Sequence, residues 1–143
     1  MGSKPTKSRV LLVDDYPDAR DMYSEYLEFS GFEVVQAGNG MEALQRALDS
    51  SPDIILMDLS LPVMDGWEAT RRLKADRRTS TIPVVALTGH ALAGISEGAR
   101  QAGCDAFVTK PCLPEDLVKE IRRVLGDEGR KPRRSGRYAK TIG

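Results

Sequence analysis

Residues Ile54 to Gly66 read Ile-Ile-Leu-Met-Asp-Leu-Ser-Leu-Pro-Val-Met-Asp-Gly. Four large apolar residues run without alternation into one carboxylate, Asp58, and a Leu-Pro loop follows directly. An apolar run of strand length bounded by turn residues describes a strand buried on both faces, as in a parallel sheet. Asp58 then stands at the C-terminal tip of a central strand, the edge of open α/β sheets where ligands bind.

The chain around that strand alternates two periods. Arg9-Val-Leu-Leu-Val is an apolar run ending in Asp14 and Asp15. Pro17 suits the first turn of a helix, where its missing N–H costs little. Ala19, Met22, Tyr23, Tyr26 and Leu27 then recur on one helical face. Gly31 stops that helix, and Phe32 to Ala37 reads as a second strand. Asn39 is an N-cap for a second helix whose apolar side is Ala43, Leu44, Ala47 and Leu48. A third helix is predicted from Asp65 or Gly66 to about Arg78, with Trp67, Thr70 and Leu73 inward. Its other side carries Arg71, Arg72, Lys74, Arg77 and Arg78, a solvated face first and a docking patch second. Pro83 to Thr88 is a fourth strand, 91–102 a weak helix containing Gly94 and Gly98, and Asp105 to Lys110 a fifth strand. Pro114 starts a fifth helix with Leu117, Ile121, Val124 and Leu125 on its core side, and Gly126 ends it. Five strands alternating with five helices predict an α/β fold, a parallel sheet with helices on both faces.

Composition bounds the rest. A chain of 143 residues, 41% hydrophobic and 29% charged, suits one domain with a real core. No apolar window is long enough to span a bilayer and the N-terminus has no signal-like segment, so a cytoplasmic protein with no membrane partner is expected. Residues 1–9 carry three basic groups and residues 127–143 six against two acids, which leaves 12 basic and 19 acidic residues between them. The body is acidic and both ends are basic. The expected division is a flexible segment over 1–8, one domain over 9–126 and a basic, disordered tail or linker over 127–143. Solvated ends account for that charge better than a nucleic-acid patch does, and no helix-turn-helix has room. Cys104 and Cys112, eight apart and outside any CxxC spacing, read as a reduced, inert pair.

In a parallel sheet all C-terminal strand ends share one edge. Asp14 and Asp15, Asp58, Thr88 and Lys110 therefore converge: three carboxylates, a hydroxyl and an ammonium. Carboxylates this crowded repel, and a divalent cation relieves them. Mg²⁺ takes one or two carboxylates, waters and a phosphate oxygen. Asp58, central in the set, can act as nucleophile toward a phosphoryl group. Lys110 would neutralise its equatorial oxygens with the metal, and the Thr88 hydroxyl would donate to one of them. Two residues keep a second reading. Asp14 fits a structural role as well as a metal role, and Phe107 fits ordinary core packing as well as a moving part. His90, the only histidine, has no partner serine or cysteine in a suitable motif and is read as a loop residue tuning water access.

Asp14-Asp15, Leu-Met-Asp58-Leu-Ser-Leu-Pro-Val-Met-Asp-Gly66, Thr88-Gly89 and Phe107-Val-Thr-Lys110-Pro111 together closely resemble receiver domains of two-component response regulators, of the single-domain, chemotaxis-regulator-like kind. The resemblance covers about Arg9 to Gly126. It implies a flavodoxin-like, doubly wound sheet of order 2-1-3-4-5, and phosphorylation of Asp58 by a sensor histidine kinase or a histidine phosphotransfer protein. It implies Mg²⁺ held by Asp15 and Asp58, by the Ser60 backbone carbonyl, and by Asp14 through water. Thr88 and Phe107 match the pair that alters a face for a downstream protein target, in a monomer or weak dimer. Lys110-Pro111 matches a bond that is frequently cis in the family.

Three alternatives compete. The chain could be a receiver cut from a longer hybrid kinase or transcription regulator. A phosphatase with an aspartate nucleophile would need a second Asp two residues after Asp58, where Ser60 stands, so an enzyme is not expected. A flavodoxin-like cofactor carrier would need a Ser-, Thr- and Gly-rich loop after the first strand, where Asp14-Asp15-Tyr-Pro-Asp18 would repel a phosphate.

Overall fold

The computed structural model describes residues 7–59, 64, 66–88, 102–110 and 112–126. Its elements are β1 (Arg9–Val13), α1 (Pro17–Phe29), β2 (Glu33–Ala37), α2 (Gly40–Ser50), β3 (Ile54–Asp58), α3 (Gly66–Ala75), β4 (Val84–Thr88), β5 (Ala106–Thr109) and α4 (Pro114–Leu125). The strands form one parallel sheet in the order β2-β1-β3-β4-β5. The helix expected over 91–102 lies outside the described residues except for Ala102, which is buried.

β3 is central, and Ile54, Ile55, Leu56 and Met57 are all fully buried. Successive strand residues face opposite sides, so the run feeds two cores. Val10, Leu12, Ile54, Leu56, Val85 and Leu87 pack with Tyr23 and Leu27 of α1 and Leu117, Ile121 and Val124 of α4. Leu11, Val13, Ile55, Met57 and Val84 pack on the other face with Ala43 and Ala47 of α2 and Ala69 and Leu73 of α3. Apolar residues on both faces of each inner strand are what a sheet covered twice requires.

The helix ends follow their sequence signals. Gly31 has φ +101°, and the Gly31 and Phe32 amides donate to the Glu28 and Leu27 carbonyls, closing α1 with a Schellman motif. Asn39 Oδ1 accepts from the Glu42 amide at 2.9 Å, and the Glu42 carboxylate accepts from the Gly38 amide at 2.8 Å. Pro17 and Pro114 occupy the first turns of α1 and α4.

Three expectations need correction. Met22 and Leu48 are exposed, because α1 meets the sheet along a narrow stripe centred on Tyr23 and Leu27, and α2 through its alanines. Helix α3 stops at Ala75, short of Arg78. There the Thr79 hydroxyl donates to the Leu73 carbonyl at 2.7 Å, and the Asp76 carboxylate accepts from the Arg78 amide at 2.9 Å, turning the chain out of the helix. Trp67 is half-buried against Leu59 and Ala86 rather than in either main core. The basic side of α3 is largely neutralised: Arg71 and Arg72 both pair with Glu68, Arg78 with Asp76, and Lys74 with Asp105.

Gly66 opens α3 against the end of β3. A Cβ placed there would strike the Asp58 backbone carbonyl oxygen and lie 2.7 Å from Leu59 Cα. Both neighbours are main chain, so neither can swing aside. Gly66→Ala is expected to destabilise the fold by about 2 kcal/mol, the cost typical of overpacking, read as a lower urea midpoint. An unchanged midpoint would refute the contact.

Candidate functional site

The C-terminal edge of the sheet collects the polar residues that interrupt the apolar strands. Asp14 directly follows β1, Asp58 ends β3, Thr88 ends β4, and Lys110 directly follows β5. Strand pairing reaches that edge: the Asp14 amide donates to the Ala37 carbonyl at 3.1 Å, Leu59 to Leu87 at 3.0 Å, and Lys110 to Thr88 at 2.7 Å. The positions of the side chains are therefore fixed by sheet hydrogen bonds up to the residues that carry them.

Asp14, Asp15 and Asp58 each offer a carboxylate oxygen, and these three atoms lie within 4.8 Å of one another. Asp14 is fully buried and Asp58 is 6% exposed, while Asp15 faces solvent. Lys110 Nζ stands 3.1 Å from Asp14 Oδ2 and 3.6 Å from Asp58 Oδ2, bridging two of the three. Burial pulls the Lys110 ammonium down, but the Asp58 and Asp14 charges outweigh it and the net direction is up, so the group stays charged. The other Asp14 oxygen accepts from the Tyr16 amide at 2.9 Å. Thr88 is buried in the same edge.

Among the described residues three carboxylates face one ammonium, so this part of the edge is short of positive charge. Its donors are all oxygen, the preference of a hard divalent cation such as Mg²⁺ or Ca²⁺. The residues present fit such an ion, and the Lys110 ammonium beside Asp58 fits a ligand bearing further negative oxygens.

Four residues predicted to meet here, Asp14, Asp15, Asp58 and Lys110, are within ion-pair or ligating distance, and Thr88 lies on the same edge. Ser60, Gly89, His90 and Pro111 lie outside the described residues. Phe107 is not an ordinary core residue: it is 39% exposed, because β5 is an edge strand whose alternate side chains face outward. Cys104 is a half-buried thiol that burial pushes up to about 11, which keeps it protonated and unreactive.

Two contacts at this edge were not foreseen. Arg20 donates to the Asp14 carbonyl, and the Tyr23 hydroxyl donates to the Cys112 carbonyl, two residues beyond Lys110, at 2.9 Å. Both are tertiary contacts from α1, and no local motif announces either.

Residues 10–122 match the response regulator receiver domain family, and the chain belongs to it. It is thus a receiver of a two-component system, a class of signalling protein driven by phosphorylation. Its relatives include the polar-differentiation response regulator DivK of Brucella anthropi, 39% identical over 118 residues, which cover 82% of this chain and 96% of that one. DivK of Brucella ovis is 39% identical over 122 residues, 85% of this chain and 98% of that one. Among solved structures, the Vibrio cholerae chemotaxis protein CheY4 superposes with a TM-score of 0.81 at 32% identity, over 84% of this chain and all of that one. The receiver domain of the Pseudomonas aeruginosa sensor histidine kinase PA1611, with magnesium coordinated in its active site cleft, gives 0.78 at 33%, over 86% of this chain and 100% of that one. No helix among the described residues is long and apolar enough to cross a membrane.

The Tyr23 contact has a pH signature. Burial first, with the Cys112 thiol beside it, pushes the phenol up to about 12 from 10. The folded state thus holds this proton more tightly than the unfolded chain. The associated stability is intact below pH 10 and is lost as pH rises from 10 to 12. Unfolding free energy measured across that window is expected to fall in the wild type and less steeply in Tyr23→Phe. Equal slopes would acquit Tyr23.

Proposed function

We propose that Asp58 is the phosphoacceptor of this receiver, with Mg²⁺ as its cofactor and a sensor histidine kinase or histidine phosphotransfer protein as donor. The observation that carries this reading is the Asp58 carboxylate at the tip of the central strand, 3.6 Å from Lys110 Nζ and beside the Asp14 and Asp15 carboxylates. Similarity to a receiver whose cleft holds magnesium supports the metal.

Asp15 and Asp58 would hold Mg²⁺ directly, with the Ser60 backbone carbonyl as a further ligand and Asp14 acting through water. When bound, the ion supplies charge neutralisation for the transferring group. An Asp58 oxygen attacks phosphorus, the O–P bond forms as the P–N bond of the donor phosphohistidine breaks, and the imidazole leaves with the bonding pair. Lys110 meets the charge that develops on the equatorial oxygens, and the Thr88 hydroxyl donates to one of them. Asp14 holds Lys110 in place through its 3.1 Å ion pair.

Output follows from Thr88 moving toward the phosphoryl group and Phe107, now half-exposed, turning inward, which alters a face for a downstream protein target. The chain acts as a cytoplasmic monomer or weak dimer over its 9–126 domain, without nucleic-acid or membrane binding. It performs no turnover beyond its own dephosphorylation. A second reading places it within a longer hybrid kinase, and likeness to the PA1611 receiver favours this. Similarity to DivK along 96% and 98% of its length supports the response-regulator reading in either case.

Intact mass after incubation with MgCl₂ and acetyl phosphate tests the chemistry. The wild type is expected to gain one phosphoryl group, and Asp58→Asn and EDTA-treated wild type none. A phosphorylated Asp58→Asn protein would overturn the assignment.

A further inference from the structure

The turn that carries Asp14 and Asp15 is held from outside the sheet by one side chain of α1. Arg20 Nη1 donates to the Asp14 backbone carbonyl at 2.7 Å, and Arg20 Nε donates to Gln36 Oε1 at 2.9 Å. Gln36 belongs to β2 and pairs with Leu12 of β1. On its other side the Asp14 peptide is already tied to β2, through its amide and the Ala37 carbonyl. The two bonds from Arg20 therefore complete a grip on the Asp14 main chain.

The carbonyl in question belongs to the peptide unit that joins Asp14 to Asp15. Fixing that plane fixes the ψ of Asp14 and the direction in which the chain enters Asp15. Asp15 is the one exposed carboxylate of the three, while Asp14 is anchored by Tyr16 and Lys110. Orientation of Asp15 thus depends more on its backbone than on packing.

A planar guanidinium can reach two acceptors on different elements at once, which a single ammonium at the end of a flexible stem does poorly. The neighbourhood makes room for the fork. A Cβ at Gly38 would lie 3.2 Å from Arg20 Nη1, closer than such an atom normally approaches, so the glycine leaves the space the guanidinium fills.

We propose that Arg20 is a positioning residue for cation binding by Asp14, Asp15 and Asp58, acting through the Asp14 carbonyl and not through its charge. The proposal rests on the reading of that cluster as a Mg²⁺ site. Charge and position act in opposite directions here. A cation beside an acidic pocket weakens binding of a second cation, whereas a fixed backbone strengthens it. Partners that orient metal ligands typically change affinity by 10- to 100-fold when removed.

Calorimetric titration of the full chain with MgCl₂, and separately with CaCl₂, tests this, with thermal melts in EDTA as the stability control. Arg20→Lys keeps the charge and loses the fork. It is expected to bind Mg²⁺ about tenfold more weakly, to lose less affinity for Ca²⁺, whose coordination is the more forgiving, and to melt close to the wild type. Gln36→Leu, which removes one anchor of the fork, is expected to shift Mg²⁺ affinity in the same direction by less, and it serves alone if Arg20→Lys fails to fold. Equal Mg²⁺ affinity in wild type and both variants would overturn the role of Arg20 while leaving the site intact. An equal loss for both ions would also overturn it, since that marks general loosening. A wild type that binds neither ion would remove the Mg²⁺ reading itself.

Discussion

Three carboxylates within 4.8 Å of one another are the constraint on which the rest of this structure depends. Like charges at that separation cost energy unless something opposes them. The fold opposes them with position and with one countercharge. Asp14 and Asp58 are held at the ends of two hydrogen-bonded neighbours, β1 and β3, whose interiors are fully buried and apolar, so that a carboxylate drawn into either strand would be buried among apolar side chains. Lys110 then reaches both from the far side of β4. The repulsion is thus stored in a rigid frame, and a bound cation can release part of it.

The two faces of the sheet support that frame differently. The α1 and α4 side is built from large side chains such as Leu117, Ile121 and Leu27, and the α2 and α3 side relies on alanines at 43, 47 and 69. Small residues let α2 and α3 lie close to β1 and β3, which is why Gly66 is pressed against the Asp58 carbonyl. The other face instead supplies reach. From α1, Arg20 and Tyr23 extend to the main chain on either side of the acidic cluster, at Asp14 and at Cys112.

Much of this was legible in the residue pattern because it is encoded locally. Ile54 to Met57 announce a strand covered on both faces, and Gly31, Asn39 and Pro114 mark helix ends by their own backbone chemistry. Convergence of Asp14, Asp15, Asp58 and Lys110 was legible too, since parallel strands must place their C-terminal ends together. What escaped needs the third dimension. Whether an aromatic such as Phe107 is buried depends on its strand being an edge. Met22 lies on the apolar stripe by periodicity, yet it is exposed, because α1 packs on the sheet through Tyr23 and Leu27. The end of α3 is set by a threonine hydroxyl returning six residues to Leu73, and the Arg20 grip joins residues 14, 20 and 36. Neither has a signature in spacing.

The sheet is also mechanically uneven. Every side chain of β4 is buried, whereas the next strand outward, β5, buries none of its residues completely. Rearranging that margin opens no void in the interior, and voids are what make core motions expensive. Yet β5 runs straight into Lys110, whose amide is bonded to the Thr88 carbonyl. The stiff centre of the molecule can therefore serve as an anvil, against which a small displacement at the acidic edge is spent on bending the soft outer strand.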